Sequence, residues 1–133
     1  MDRLFLDANV LFSAAYKAGG RVSRLWVLKD VVLCSSRYAL EEARINLDGE
    51  AQRARLVRLS AKVQLFDAAH GDLPHGIRLP EKDVPIVMAA IEARATHLLT
   101  GDVRHFGPYL GKKIAGVAIV LPGEYLRNRG VKA

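Results

Sequence analysis

The chain has 133 residues, half of them hydrophobic and 26% charged, with 20 Lys+Arg against 14 Asp+Glu for a net charge of +6. This is one domain's worth of chain, residues 1–133, with enough apolar material to bury a core. The composition excludes disorder, collagen-like repetition and a disulfide scaffold, and the basic excess favours a polyanionic partner without demanding one.

The chain alternates strand-like and helix-like segments. Leu4-Phe5-Leu6 is a short apolar run ending at Asp7 and reads as a buried strand. Ala8 to Lys17 is helix-compatible and closed by Gly19-Gly20, and Val22 to Lys29 has helical spacing. Val31 to Cys34 reads as a strand. Arg37 to Leu47 reads as a helix, with Ser36 as N-cap and Gly49 just past its end. A second helix spans Ala51 to Ala61, then Val63 to Phe66 reads as a strand. His70 to Pro80, rich in Gly and Pro, is a loop. Val84 to Arg94 is a helix, His97 to Thr100 a strand, Val117 to Val120 the last strand, and Pro122 to Leu126 a short helix. Strands alternating with helices predict an α/β fold with a mostly parallel sheet of four or five strands, covered on both faces.

Cys34, the one cysteine, sits in an apolar run and reads as a small buried hydrophobe. Nothing opposes a reducing cytosol, so a cytoplasmic setting is expected. The longest uncharged apolar run, Ile114 to Gly123, is about half of what a bilayer span needs, so no membrane partner is expected. Asp2, Arg3 and Asp7 argue against a signal peptide at the N-terminus.

The acids carry the functional information. Ligands of open parallel sheets bind beyond the carboxyl ends of the strands. Asp7 follows the first strand directly, and Asp102 follows the His97–Thr100 strand after one glycine. Asp83 opens the helix leading into that strand, and Glu41 and Glu42 lie on the helix after Val31–Cys34. Each has an ordinary explanation: Asp7 and Asp83 as helix caps, Asp102 as a turn residue, the glutamates as a solvated face. Landing at one sheet edge by chance is harder to explain. Two unit charges about 4 Å apart repel by roughly 4 kcal/mol at an effective dielectric near 20. A hard cation, Mg²⁺ or Mn²⁺, removes that penalty and suits phosphate chemistry. The basic excess then serves contact with a phosphate backbone.

The same residues carry a family resemblance. Leu4-Phe5-Leu6-Asp7-Ala8-Asn9-Val10-Leu11 resembles the opening of PIN domains. Glu42 with Leu47 five residues on, Asp83 to Ala90, Leu98 to Asp102, and Gly116 to Leu126 are similar to their later motifs in order and spacing. The resemblance implies a three-layer α/β/α PIN-like fold and a metal-dependent endoribonuclease acting on RNA. It further implies a VapC-type toxin held inactive by a small antitoxin, and a homodimer. Carried over by position, Asp7, Glu42, Asp83 and Asp102 match the acidic quartet, with Asp7, Asp83 and Asp102 as metal ligands. Asn9 and Thr100 match supporting polar positions. Helical geometry does not choose between Glu41 and Glu42; only the resemblance selects Glu42. Many members carry another acid where this chain reads Val103-Arg104-His105-Phe106, so single-ion occupancy is expected.

Other readings stay open. Arg104 and His105 are either phosphate contacts or a solvated loop. Arg53, Arg55, Arg58 and Lys62 are either an RNA face or the wet side of a helix. Tyr16, Val22, Leu25 and Trp26 are either core or a groove for a partner helix. His70 and His75 lack the further ligands a zinc site needs. A haloacid-dehalogenase-type phosphatase would use Asp7 as nucleophile but wants an acid where Asn9 stands. An RNA-processing PIN nuclease without antitoxin, and an inactive RNA-binding module, complete the alternatives.

Overall fold

The computed structural model describes residues 1–67 and 71–131, so His70 lies outside the described part. The elements run β1 (Asp2–Leu6), α1 (Ala8–Tyr16), a 3-10 helix (Arg21–Val27), β2 (Val31–Ser36), α2 (Arg37–Asn46), α3 (Glu50–Ser60) and β3 (Gln64–Phe66). After the loop come a 3-10 turn (Glu81–Asp83), α4 (Val84–Glu92), β4 (His97–Leu99), α5 (Val103–Phe106), a second 3-10 turn (Gly107–Tyr109), β5 (Lys113–Ile114), β6 (Val117–Val120) and α6 (Pro122–Asn128).

Among the described residues the strands form one six-stranded sheet in the order β3-β2-β1-β4-β6-β5. All neighbours are parallel except β5 and β6. The chain builds outward from β1 through β2 to β3, then crosses back to β4 on the other side. Right-handed crossovers in these two directions place α1 to α3 on one face and α4 on the other. The packing agrees: α1 lies against α2 and α3, while α4 packs on β2 and β4. With both faces covered, the Leu4-Phe5-Leu6 run of β1 is apolar without alternation and fully buried.

Two departures from the sequence reading have local causes. Residues 21–27 form a 3-10 helix rather than an α-helix. Val22, Leu25 and Leu28 recur every three residues, which matches the three-residue turn of a 3-10 helix, and all three pack on the core. The sheet has a sixth strand beyond the four or five expected. β5 is two residues long and pairs back on β6 through Ala115-Gly116, whose φ values of 49° and 85° make a tight two-residue hairpin turn. Its shortness leaves no periodic signal, and the hairpin seals the sheet edge beside β6.

The capping expectations bear on the site. Ser36 caps α2 by accepting from the Ala39 N–H at 3.1 Å. Gly49 opens α3 rather than closing α2. Pro85 sits in the first turn of α4, where its missing N–H costs nothing.

Among the described residues, no helix is long and apolar enough to cross a membrane. Leu98 sits mid-sheet on β4 with no exposure. Leu98→Ala is expected to cost about 2–5 kcal/mol, read as a lowered urea midpoint at unchanged slope.

Candidate active site

The order β2-β1-β4 places the reversal of chain direction between β1 and β4, where a crevice opens beyond the carboxyl ends of the strands. A cleft of ≈ 670 Å³ lies there. Asp7, Asn9, Glu42, Asp83 and Asp102 all line it, from four separate stretches of chain. Glu41 does not; it pairs with Arg44 on the exposed side of α2. The structure thus separates two glutamates that helical geometry left equivalent.

Asp7 is held by three donors. It is the N-cap of α1, with Oδ1 accepting from the Ala8 N–H at 2.7 Å. Its Oδ2 accepts from the Thr100 hydroxyl at 2.8 Å and from Asn9 Nδ2 at 3.1 Å. Thr100 Oγ1 accepts from the Asp102 N–H at 3.1 Å, and Asn9 Oδ1 accepts from the Gly101 N–H at 2.7 Å. One small network therefore couples the end of β1 to the end of β4. Asn9 and Thr100 position the acids, with Thr100 itself fully buried.

Asp83 and Asp102 are held differently. Asp83 stands at the N-cap position of α4 but makes no capping hydrogen bond, so capping does not account for it. It is 6% exposed, and its Oδ2 has no directed hydrogen-bond partner. Asp102 caps α5 through Oδ1, which accepts from the His105 N–H at 3.0 Å. Its Oδ2 is 2.9 Å from His105 Nδ1, which is also 2.8 Å from Asp83 Oδ2. One donor atom from each of Asp83, Asp102 and His105 lies within 4.8 Å of the others. Asp7, its oxygens committed to protein donors, stands in the cleft but outside this tight group. Buried carboxylate oxygens crowded together and short of protein donors suit a hard divalent cation, so the residues present fit one.

The electrostatics follow from burial. Desolvation raises the Asp7 carboxyl from its ordinary 3.8 to about 6, opposed by its bonds from Thr100, Ala8 and Asn9 and reinforced by the charge of Asp83. Desolvation also raises Asp83, where the nearby His105 opposes the shift and Asp102 adds to it.

Several lining residues had weak signals or none in the sequence. Ser13 lies one helical turn beyond Asn9, and Asn46 one turn beyond Glu42, so i,i+4 spacing could have placed them. Lys82 lines the cleft as the neighbour of Asp83. The Tyr38 hydroxyl donates to the Lys82 carbonyl at 2.9 Å and ties α2 to the turn carrying Asp83. Burial and the charge of Glu42 push the Tyr38 phenol up. Nothing in the sequence marks that contact.

Outside the cleft, Arg104 is exposed. Arg53 and Arg55 are more than the wet side of a helix. They donate to the carbonyls of Leu47 at 2.7 Å and Ala15 at 2.5 Å, closing helix ends. Trp26 is half-buried with its indole N–H on the Leu59 carbonyl at 3.0 Å, whereas Tyr16 is exposed. His97 is structural, edge-on to the Tyr125 ring.

No protein-family model and no curated protein matches the chain. Solved structures do match. VapBC2 from Rickettsia felis, solved bound to a DNA fragment from its promoter, aligns with a TM-score of 0.66 at 19% identity over 88% of this chain and 96% of that chain. The chain has the fold of the VapC-type PIN toxins. VapBC-1 from nontypeable Haemophilus influenzae aligns at 0.58 and 16% identity over 91% and 98% of the two chains. VapC20 from Mycobacterium tuberculosis, a sarcin-ricin loop cleaving toxin, aligns at 0.55 and 18% identity over 76% and 91%.

Within this PIN fold, burying Asp7 costs stability at neutral pH. Native Asp7 keeps its proton up to about pH 6, while the unfolded chain releases it near 3.8. Stability from this group is therefore present below about pH 4 and lost as pH rises through 6. In chelator-treated protein, urea unfolding of Asp7→Asn is expected to gain on the wild type by up to about 3 kcal/mol between pH 4 and 7. A difference that stays flat with pH contradicts the assignment.

Proposed function

We propose that this protein is a metal-dependent endoribonuclease that hydrolyses RNA phosphodiesters and serves as the toxin of a toxin–antitoxin pair. The observation that carries the reading is the convergence of Asp7, Glu42, Asp83 and Asp102 on one cleft at the reversal point of a parallel sheet. VapC20, of the same fold, is a toxin that cleaves the sarcin-ricin loop, which supports RNA as the substrate. VapBC2 and VapBC-1 were solved as complexes, which supports a small antitoxin partner. Homodimerisation and a cytoplasmic setting belong to the same reading.

Asp83 and Asp102 would hold Mg²⁺ or Mn²⁺, and Asp7 and Glu42 line the same cleft. A bound ion supplies charge neutralisation at the phosphate and a water acidic enough to act as nucleophile at neutral pH. The chain's own residues orient the rest. Asn9 and Thr100 fix the Asp7 carboxylate, and Tyr38 fixes the backbone at Lys82. The Lys82 ammonium lies at the cleft, where a phosphate oxygen is its natural partner. No side chain is needed as a covalent nucleophile: water attacks phosphorus in line, the P–O3′ bond breaks and O3′ takes up a proton, and the products carry 5′-phosphate and 3′-hydroxyl ends. A phosphatase using Asp7 as nucleophile fits poorly, because Asp7 is 4% exposed and both its oxygens are bonded.

The test is an RNA cleavage assay with Mn²⁺, repeated with chelator, with Asp83→Asn and with Asp102→Asn. Each change is expected to lower cleavage by at least about 10- to 100-fold. Cleavage that ignores chelator and both substitutions overturns the reading. Intact RNA throughout, with no Mn²⁺ binding that depends on the carboxylates, favours an inactive RNA-binding module.

A further inference from the structure

We infer that His105 is a metal-ligating residue, offering Nδ1 beside Asp83 Oδ2 and Asp102 Oδ2. We further infer that this nitrogen biases the site toward Mn²⁺ and other divalent transition ions over Mg²⁺. The inference rests on the nuclease reading for the presence of an ion and adds which atoms hold it and which ion is favoured.

The local fold places the ring. α5 is only four residues long, and Asp102 opens it by accepting the His105 N–H through Oδ1. That bond turns the His105 side chain back over its own cap and leaves Asp102 Oδ2 facing the ring. The 3-10 turn at 81–83 delivers Asp83 to the other side of the same nitrogen, 2.8 Å away.

An ion pair of His105 with the two carboxylates brings these atoms together, and the same closeness is what a shared ion requires. His105 Nδ1 and Asp83 Oδ2 are both buried, and neither has a directed hydrogen-bond partner, despite their short separation. Asp83 has a side chain only 9% exposed and presents an unpartnered oxygen to this point. Neighbouring donors around an octahedral ion with bonds near 2.1 Å sit about 3 Å apart. The Nδ1 separations of 2.8 and 2.9 Å from the two oxygens match that spacing. A neutral imidazole with its proton on Nε2 leaves the Nδ1 lone pair for the ion.

The donor set decides the preference. Mg²⁺ takes oxygen almost exclusively and sheds water reluctantly. Imidazole nitrogen suits transition ions, whose affinities also rise along the first-row series. Two carboxylates and one imidazole therefore hold Mn²⁺ better than Mg²⁺ by more than three carboxylates would.

The test uses the full chain without RNA. Electron spin-echo spectroscopy of the Mn²⁺ complex reads imidazole nitrogen coupling directly, and competitive titration gives the Mn²⁺-to-Mg²⁺ affinity ratio. The wild type is expected to show the coupling. His105→Ala and His105→Gln are expected to lose it, with the ratio falling by about tenfold or more. Should Mn²⁺ bind in a manner abolished by Asp83→Asn, with no nitrogen coupling in the wild type and an affinity ratio that neither His105 variant changes, the ligand assignment is wrong and the nuclease reading survives. Should no Mn²⁺ binding depend on Asp83 or Asp102, both fail together.

Discussion

Like charges gathered in a buried place repel, and a fold tolerates this only where other forces hold the groups in position. Here the cost falls at the crevice between β1 and β4, on Asp7, Asp83 and Asp102. Burial, with the charge of Asp83 added to it, drives Asp7 to a pKa of about 6, despite three hydrogen bonds pulling it down. Asp83 lacks even those bonds: its Oδ2 has no directed donor. Stability would be served by replacing these groups; a functional site is where such local strain is ordinarily kept.

The scaffold that bears this cost is the doubly covered parallel sheet. β1 lies in its middle, with Leu4, Phe5 and Leu6 wholly buried, so Asp7 emerges from a strand paired on both sides and covered on both faces. The Asp7 N–H donates to the Leu99 carbonyl at 3.1 Å, carrying the β1–β4 ladder to the edge of the site. From there Thr100, Asn9 and Gly101 pass the register on through side-chain bonds. Glu42 arrives on α2 and Asp83 just ahead of α4, and the Tyr38 hydroxyl ties α2 to the turn that carries Asp83. The acids are positioned by the sheet and the helices together, not by any one loop.

Much of this was legible in the sequence. Runs such as Leu4-Phe5-Leu6 and Val117 to Val120 announce buried strands, and the acids at strand ends announce the edge that matters. The fold follows because strands and helices of the right period alternate along most of the chain. What escaped had no local signature. β5 is two residues and a hairpin turn. The 3-10 helix at 21–27 was hidden in a three-residue period that an α-helical reading also accepts. His105 reads with Arg104 as a phosphate contact or a solvated loop residue, and only the capping of α5 by Asp102 turns its ring toward Asp83. Tyr38 matters through a bond to a backbone carbonyl, which no pattern of side chains encodes. Glu41 and Glu42 were equivalent on a helical wheel until the position of α2 against the cleft set them apart.

The claim beneath all of this is that separated acids meet in order to share one divalent ion. Crystals of the protein soaked in Mn²⁺ and measured for anomalous scattering test it most directly. A single strong peak in the cleft, bonded to Asp83 and Asp102 with Asp7 and Glu42 around it, is the predicted result. A cleft without a peak at saturating Mn²⁺, or an ion bound only elsewhere on the surface, contradicts it.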